Sequence, residues 1–370
     1  MALNSKPSHT DAPLQGIKVL ELASVLAGPL VGTFLAELGA TVTKVEHPLQ
    51  GDVTRSWRSK AESRVGPSAY YAAANGPKQI LTLDLMSKAG KATLEAALEE
   101  TDILLQNFKT ASLVRLGVDP AKLANRHPRL IHLHLKGFMN NPDRGGYDMV
   151  VQAETGFMSL NAMPDSAPFR MPVALMDILA AHQMRSGVLL ALYEREKTGL
   201  GAYVETWLDA SGFSALANRA TEHLVAGQSP KPLGALHPQI APYGETFQCR
   251  CGQLVVTAIG NDRQFSLLCK QLNLANLVTD KRFKTNALRV ENRGVLFDLL
   301  APGFSRFDAS ELADSAIQLG VPLGRLKSVE EALSSATGQA MTADFDIEGH
   351  SVRHVRQVAF QVHRNGNLTT

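Results

Sequence analysis

The stretch IKVLELASVLAGPLVGTFLAELGATVTKVE, residues 17–46, decides the fold of this chain. It opens with an apolar strand pattern at residues 17–22, followed by a loop of small residues in which Pro29 occupies the position favoured at the start of a helix. The apolar residues of that helix continue to Gly39, where the chain can turn into a second strand pattern at residues 41–46. The stretch therefore predicts a βαβ unit.

Further strand patterns follow this unit, and helical patterns such as residues 88–100 separate them. The strand patterns lie at residues 79–83, 103–105, 130–135 and 202–207. Alternating strands and helices are typical of a parallel sheet that is covered by helices. The predicted fold class is therefore α/β, with a large Rossmann-like domain built on a parallel sheet.

A passage rich in proline and glycine, residues 229–244, separates this pattern from a different one. Two strands are predicted around a turn at Gly252, which begins an α+β arrangement. Later elements are predicted as helices at residues 263–272 and 293–300 and as strands at residues 319–326 and 352–362. The strand at residues 319–326 is expected to return to the first domain.

These patterns predict two domains, the first of them discontinuous in sequence. The large Rossmann-like domain is assigned to residues 1–205 and 310–370. The small α+β domain, with its linkers, is assigned to residues 206–309.

The composition is that of a globular chain with little net charge. Of 370 residues, 45% are hydrophobic, and 37 Lys and Arg residues balance 35 Asp and Glu residues to leave a net charge of +2. The charge gives no reason to expect a nucleic-acid partner, and no apolar run approaches the ~20 residues of a membrane span. Three cysteines do not suggest a disulfide framework. We expect a cytoplasmic protein without nucleic-acid or membrane partners.

The first βαβ unit also allows a dinucleotide site, because Glu46 stands where an acid can hydrogen-bond a ribose. The glycines disfavour it. The fingerprint of such sites is G-x-G-x-x-G, whereas this loop offers Gly28 followed by Gly32. A simpler interpretation of Gly28 and Pro29 is an ordinary junction between a loop and a helix.

Asp177 is the candidate for acyl chemistry. It precedes a helical pattern that runs from Ile178 to Lys197 and ends at Gly199, so it is predicted to lie at a helix start. The ordinary role of such a residue is an N-cap. A carboxylate at the positive end of a helix is expected to stay ionised, and an ionised carboxylate can attack an acyl carbon without a separate base. Both roles remain open.

Polar side chains are predicted to collect at one edge of the parallel sheet. Asn107 follows one strand, Arg115 lies one helix later, and Lys136 ends the next strand. The carboxyl ends of parallel strands are where open α/β sheets bind ligands. The alternative is that Asn107 caps a turn and that both cations are solvated surface groups.

No metal site is predicted. Cys249 and Cys251 have one residue between them, which departs from zinc-ligand spacing, and no second ligand pair follows. No H-E-x-x-H pattern occurs.

Several long blocks, taken together and in order, resemble the class III CoA-transferases. This is the family of formyl-CoA transferase and carnitine CoA-transferase, and it includes the α-methylacyl-CoA racemases. The resemblance extends from Leu14 to about Leu333. Its clearest blocks are residues 14–55, DILLQNFKTASLVRLG (102–117), MPVALMDILAAHQMRSGVLLALYEREKTGLGAYVETWLDA (171–210) and GVPLGRLKSVEEAL (320–333).

The resemblance implies that Asp177 is a nucleophile, that coenzyme A is carried as an acyl-CoA co-substrate, and that the protein is an interlocked homodimer. Asp177 would form an acyl anhydride with the donor and then a thioester with CoA, which the acceptor carboxylate attacks. The CoA-binding residues implied by the resemblance are Asn107, Arg115, Lys136, Lys44, Arg55, His47 and Phe108.

Three positions depart from subgroups of the family. His47 stands where the oxalate-specific members carry Arg, and Leu26 where they carry Gln, which disfavours a formyl or oxalyl substrate. Tyr147 stands where the racemases carry the His that moves the α-proton, just before the acid equivalent to Asp148. A phenol with a pKa near 10 is a poor base at neutral pH, which favours transfer over racemisation.

The predicted function is transfer of CoA between carboxylic acids. Arg170, upstream of Asp177, is a candidate partner for the second carboxylate of a dicarboxylate, or else a surface residue. The alternatives are a 2-methylacyl-CoA racemase or isomerase and a non-catalytic acyl-CoA binder.

Overall fold

A computed structural model describes residues 12–363. Its strands are β1 (Lys18–Glu21), β2 (Thr41–Glu46), β3 (Gln79–Thr82), β4 (Ile103–Gln106), β5 (Ile131–Lys136), β6 (Tyr203–Trp207), β7 (Tyr243–Gln248), β8 (Leu254–Ala258), β9 (Leu323–Arg325), β10 (Thr342–Ile347) and β11 (His350–Val355). Its α-helices are α1 (Ala27–Glu37), α2 (Ala69–Asn75), α3 (Lys88–Leu98), α4 (Leu113–Leu116), α5 (Pro120–Arg126), α6 (Asp148–Glu154), α7 (Phe157–Leu160), α8 (Leu175–Thr198), α9 (Leu208–Ala226), α10 (Asp262–Gln271), α11 (Asn286–Glu291), α12 (Arg293–Phe304), α13 (Ala309–Leu319), α14 (Val329–Leu333) and α15 (Ala336–Ala340).

The chain divides into two compact units. Within the described residues, the first unit consists of the chain up to residue 158, residues 170–230 and the chain from residue 336 onward, and the second of residues 159–169 and 231–335. The junctions predicted from the sequence lie at residues 205/206 and 309/310. In the structure α9 belongs to the first unit and α13 to the second.

The first unit is built on a six-stranded sheet in the order β3-β2-β1-β4-β5-β6, and every strand pair in it is parallel. Val19 of β1 lies between Val42 of β2 and Ile103 of β4. Successive strands are added to one side of β1 as far as β3 and to its other side from β4 onward. The switch point therefore lies between β1 and β4, and open α/β sheets bind ligands in the crevice at such a point. The predicted α/β fold with a parallel sheet is confirmed.

The central strands β1, β4 and β5 are almost entirely buried, because helices cover both faces of the sheet there. On one face Ile103 and Leu105 pack in a cluster with Leu35 of α1 and Val188 of α8. On the other, Leu104 packs in a cluster with residues of α3 and α5. Each fully buried Leu or Ile side chain stabilises the fold by roughly 1.5–3 kcal/mol through removal of apolar surface from water.

Gly28 and Gly32, which do not complete a dinucleotide fingerprint, are explained by the close packing around α1. A Cβ atom at Gly28 would lie 2.4 Å from the Cβ of Ala23. A Cβ atom at Gly32 would lie 1.8 Å from Oε2 of the buried Glu21 side chain. Both glycines therefore let α1 approach β1 and the loop after it.

The end of the described chain forms an antiparallel hairpin of β10 and β11 in the first unit. Ile347 of this hairpin packs with Tyr71 and Ala72 of α2. A final strand was predicted at residues 352–362, and its predicted end was wrong, because β11 stops at Val355. This strand pairs with β10.

The second unit contains the antiparallel sheet β7-β8-β9. Its core is aromatic, with the rings of Phe247 and Phe304 stacked at a centroid distance of 4.1 Å. The prediction that residues 319–326 return to the first domain was wrong, because β9 pairs with β8. Among the helices between residues 12 and 363, none has the length and apolar composition that a membrane crossing requires.

Candidate active site

Asp177 lies in the first turn of α8. The helix begins at Leu175, its N-cap is Ala174, and Asp177 is the third residue of the helix. The prediction that Asp177 is the N-cap was therefore wrong. The reason lies elsewhere in the chain: the Asp148 carboxylate accepts a hydrogen bond of 2.7 Å from the backbone N–H of Met176 and so takes the capping role.

Asp148 is held in place by a buried amide. Nε2 of Gln152, one turn later in α6, donates to Oδ2 of Asp148 at 2.7 Å, and its Oε1 accepts from the N–H of Met171 at 2.8 Å. The Gln152 side chain is fully buried. Both oxygens of Asp148 are thus occupied by donors, and its carboxylate stays fixed beside the start of α8.

The Asp177 carboxylate, in contrast, has no hydrogen-bond or ion-pair partner among residues 12–363. Burial, followed by repulsion from the charge of Asp148, raises the pKa of Asp177 to about 7. Both effects act against the ionisation that a helix start favours, and the expectation that Asp177 stays ionised there remains a prediction. The Asp177 carboxyl group thus has no partner among the described residues and a pKa raised to about 7, whereas both oxygens of the Asp148 carboxylate accept hydrogen bonds.

Tyr70, on α2, belongs to the same region of the first unit. Burial raises the pKa of its phenol, and the charges of Asp177, Asp148 and Asp52 raise it further. The ring of Trp57 meets the Tyr70 ring edge-on at a centroid distance of 5.0 Å. Sequence reasoning missed both aromatics, since no motif spacing connects residues 57 and 70 with residue 177.

Hydrogen bonds from the side chains of Asp52 and Asn107 fix the loop between β1 and α1. Val25 has a φ of 73°, which is rare for a β-branched residue. Its N–H donates to Oδ2 of Asp52 at 3.1 Å. Asn107 accepts from the N–H of Ser24 at 3.2 Å and donates to its carbonyl at 3.0 Å. Asn107, a predicted CoA contact, therefore fixes this loop.

A buried ion cluster, formed by Glu21, Lys44, Asp52 and Lys78, lies beneath the same loop. The Lys44 ammonium is 3.1 Å from both Glu21 and Asp52 and donates to the carbonyl of Ala23 at 2.7 Å. Lys78 is 2.8 Å from Glu21. All four side chains are at most 1% exposed, so each charge needs the others. Lys44 thus has three partners within the protein.

A cavity of about 250 Å³ opens at the carboxyl ends of β1 and β2. It brings together three of the predicted CoA contacts, Lys44, His47 and Phe108. Its remaining wall includes apolar side chains such as Met86 and Leu116. A cavity of mixed polar and apolar lining at the switch point of a parallel sheet is suited to one end of an elongated ligand.

The other predicted contacts have different surroundings. Arg55 lies beside this cavity, in a neighbouring concavity that shares Gly51 and Asp52 with it. Lys136, at the end of β5, forms an ion pair with Glu205 of β6. Arg115 is exposed on α4. The structure therefore gathers four of the seven residues around two adjoining concavities.

The chain matches CoA-transferase family III over residues 14–369, which is most of its length. The chain belongs to CoA-transferase family III. The predicted resemblance is confirmed, and the protein is a CoA-transferase.

Relatives of this CoA-transferase cover most of its length. The succinate–glutarate CoA-transferase of Agrobacterium fabrum is 34% identical over 93% of this chain and 86% of the relative. The acetyl-CoA:oxalate CoA-transferase of Acetobacter aceti is 32% identical over 88% of this chain and 84% of the relative. A solved CAIB/BAIF family protein from Brucella suis is 34% identical, covers 95% of this chain and 93% of its own, and superposes with a TM-score of 0.82.

One group of side chains in this CoA-transferase has the composition of metal ligands. Glu95, Glu99 and His127 each offer a ligand atom, and these atoms lie within 4.8 Å of one another. Glu95 is also ion-paired with Arg126, so a protein cation already faces this group. The prediction that no metal is needed stays a prediction.

Proposed function

We propose that this CoA-transferase moves CoA from an acyl-CoA donor to a carboxylic acid acceptor through covalent intermediates on Asp177. The observation that carries the proposal is the Asp177 carboxyl group: unpaired, in the first turn of α8, and with a pKa raised to about 7. A carboxylate without hydrogen-bond partners keeps its lone pairs available for attack, and a higher pKa increases its nucleophilicity.

The proposed reaction has four acyl transfers. A carboxylate oxygen of Asp177 attacks the donor thioester, the C–S bond breaks, and CoA thiolate leaves an aspartyl acyl anhydride. The thiolate then attacks the Asp177 carbonyl and releases the donor acid, which gives an aspartyl-CoA thioester. The acceptor carboxylate attacks this thioester and expels CoA, forming a second anhydride. CoA thiolate attacks the acceptor's carbonyl, and Asp177 is regenerated as a carboxylate.

Asp148 has two roles in this proposal. It occupies the N–H of Met176, so that Asp177 is not drawn into the capping position. Its fixed negative charge also favours the states in which Asp177 is neutral, which are the anhydrides and the thioester. The free carboxylate is thereby destabilised relative to the covalent intermediates.

The nucleotide end of CoA is proposed to bind in the cavity at the switch point. Phe108 and the apolar wall offer a surface for the adenine ring, and His47 lies at the cavity's lining. Arg55, beside it, and Arg115 and Lys136, at the same edge of the sheet, are proposed to face the phosphates. Asn107 and Lys44 are proposed to act through the loop of residues 23–25, which their hydrogen bonds hold.

The acids are proposed to be dicarboxylates. The dicarboxylates named for the relatives, succinate, glutarate and oxalate, support this class. Arg170 is exposed, and its guanidinium donates only to the backbone carbonyls of Met171 and Pro172 among the described residues. It is therefore free to pair with the distal carboxylate of an acid bound near Asp177.

The protein is further proposed to be an interlocked homodimer. Three large apolar or aromatic side chains of α8, Leu189, Leu190 and Tyr193, are exposed in the single chain, and a partner subunit would cover them. Light scattering after gel filtration measures the mass directly.

The function is tested with a panel of acyl-CoA donors and of mono- and dicarboxylate acceptors, with products identified by mass spectrometry. We expect succinyl-CoA and a second dicarboxylate to exchange CoA, and Asp177→Ala and Asp177→Asn to abolish the exchange. Gel filtration and thermal unfolding establish that each variant is folded. Retained exchange in either variant would show that Asp177 is not the nucleophile, and no exchange by the wild type with any pair would remove the proposed substrates.

A further inference from the structure

The guanidinium of Arg55 has two edges, and a carboxylate occupies each of them. On one edge, Nε donates to Oε2 of Glu46 at 2.7 Å and Nη2 to Oε1 at 3.3 Å. On the other edge, Nη1 donates to Oε2 of Glu348 at 2.9 Å and Nη2 to Oε1 at 3.2 Å. Such forked pairs are the geometry by which arginine binds carboxylates and phosphates alike.

The two carboxylates differ in how firmly they are held. Glu46 ends β2, is 6% exposed, and also accepts from the hydroxyl of Tyr71 at 2.7 Å. Glu348 is 51% exposed and has no partner besides Arg55 among residues 12–363. The Arg55 side chain also stacks on the Tyr71 ring, 4.0 Å from its centroid. Arg55 therefore keeps its orientation when Glu348 leaves, whereas Glu348 can move into water at small cost.

Glu348 lies in the turn of the hairpin formed by β10 and β11. Ile347 pairs with His350, so the turn consists of Glu348 and Gly349, with φ values of 53° and 81°. Positive φ at both central positions is the geometry of a tight type I′ hairpin turn, in which glutamate is unusual. The hairpin itself is anchored by packing of Ile347 against α2 and does not depend on the Glu348 side chain.

The Arg55 side chain also borders a concavity beside the cavity proposed for the nucleotide of CoA. Arg55 lines a concavity of about 350 Å³ with residues 50–53 and Ser56, and this concavity shares Gly51 and Asp52 with the cavity proposed for the nucleotide of CoA. A Cβ atom at Gly51 would lie 3.1 Å from both Cδ of Arg55 and Oε2 of Glu46, so the glycine leaves room for this pair.

We propose that Glu348 is a positioning residue that competes with a phosphate group of CoA for the outer edge of Arg55. In the free protein its carboxylate keeps the guanidinium paired and aligned. When the nucleotide end of CoA binds, a phosphate takes over the Nη1 and Nη2 hydrogens and Glu348 turns to solvent. Because the phosphate must displace Glu348, CoA binds more weakly. Weaker binding helps CoA to leave its site and return to it within each turnover. This inference rests on the proposed function.

The test compares two charge-neutralising variants of the same hairpin. Glu348→Gln removes the competitor. Asp344→Asn is the matched control, because Asp344 is also exposed and forms an ion pair of 2.8 Å with Arg353 on the hairpin's strands. Calorimetry measures the Kd of CoA, and steady-state kinetics measures KM and kcat with succinyl-CoA and with succinyl-pantetheine, which lacks the phosphates.

We expect Glu348→Gln to lower the Kd and KM for CoA species about two- to five-fold, the range for one partly exposed ion pair. The effect should shrink at high salt and be absent for the pantetheine thioester and for Asp344→Asn. Unchanged or weaker CoA binding by Glu348→Gln would overturn the inference, as would equal tightening by Asp344→Asn or for succinyl-pantetheine. The calorimetric comparison does not depend on turnover, so failure of the proposed function would appear separately, as no exchange by the wild type in the kinetic assay.

Discussion

Asp177→Asn is expected to make the protein more stable at pH 8. Burial and the charge of Asp148 raise the pKa of Asp177 from its ordinary value of 3.8 to about 7 in the folded protein. Between these values the unfolded chain ionises more readily than the folded one, so the carboxylate destabilises the fold progressively as the pH rises from about 4 to 7, and fully above 7. Asparagine has the same shape without the charge.

The magnitude follows from the displacement of the pKa. At 1.36 kcal/mol for each pKa unit, the cost of the ionised carboxylate is at most about 4 kcal/mol. The side chain is only partly buried, so solvent screening reduces this to roughly 1–3 kcal/mol. For domains of comparable size, each kcal/mol of added stability raises the melting temperature by roughly 2–4 °C. The melting temperature of Asp177→Asn should therefore exceed that of the wild type by several degrees at pH 8.

The assay is thermal unfolding followed by circular dichroism at pH 5 and at pH 8. The matched control is Glu196→Gln, which removes an exposed carboxylate from the same helix and should change stability by no more than about 0.5 kcal/mol at either pH. Asp177→Asn should gain stability mainly at pH 8. Equal or lower stability of Asp177→Asn at pH 8, or a gain of the same size at pH 5, would refute the conclusion that Asp177 is held in an unfavourable environment.

Two further predictions concern the same unit. In the proposed mechanism Asp177 attacks as a carboxylate, and burial with the charge of Asp148 raises its pKa to about 7, so kcat/KM should rise with pH up to about 7 and level off above it. A pH–rate profile with succinyl-CoA measures this, and a profile that is flat from pH 5 to 8 would contradict the assignment. Gly32→Ala should destabilise the protein by about 3–5 kcal/mol, measured by thermal unfolding, because its Cβ would displace Glu21 from the buried ion cluster. Gly294→Ala, in helix α12 where a Cβ meets no atom within 4 Å, should be neutral or stabilising by up to about 1 kcal/mol. Equal stability of the two variants would mean that the cluster can rearrange freely.

The central strands of the parallel sheet were predictable because they are almost entirely buried. Residues 103–105 are a short apolar run, residues 130–135 are four aliphatic residues and two histidines, and the structure places β4 and β5 there. Chain order and the helical patterns between strands then fix the parallel class. Residues 319–326 also contain several apolar residues, but nothing local distinguishes pairing with β8 from return to the large sheet.

The site was predictable only in part. The position of Asp177 was found from the sequence, but its surroundings depend on Asp148, 29 residues earlier, whose carboxylate caps α8 in its place. The same limit applies to Lys44, whose three partners come from residues 21, 23 and 52. It applies to Tyr70, which shares the electrostatic environment of Asp177 although no motif relates the two. Tertiary contacts, rather than local spacing, determine which polar groups are free for chemistry.

Trapping with hydroxylamine shows whether Asp177 carries CoA covalently. The wild-type protein is incubated with succinyl-CoA and hydroxylamine, digested, and analysed by peptide mass spectrometry, with Asp177→Asn as the control. Hydroxylamine attacks an aspartyl thioester or anhydride and leaves a hydroxamate. We expect a hydroxamate on Asp177 that appears only when the acyl-CoA is present and is absent from Asp177→Asn. An unmodified Asp177 in a protein that exchanges CoA between acids under the same conditions would contradict it.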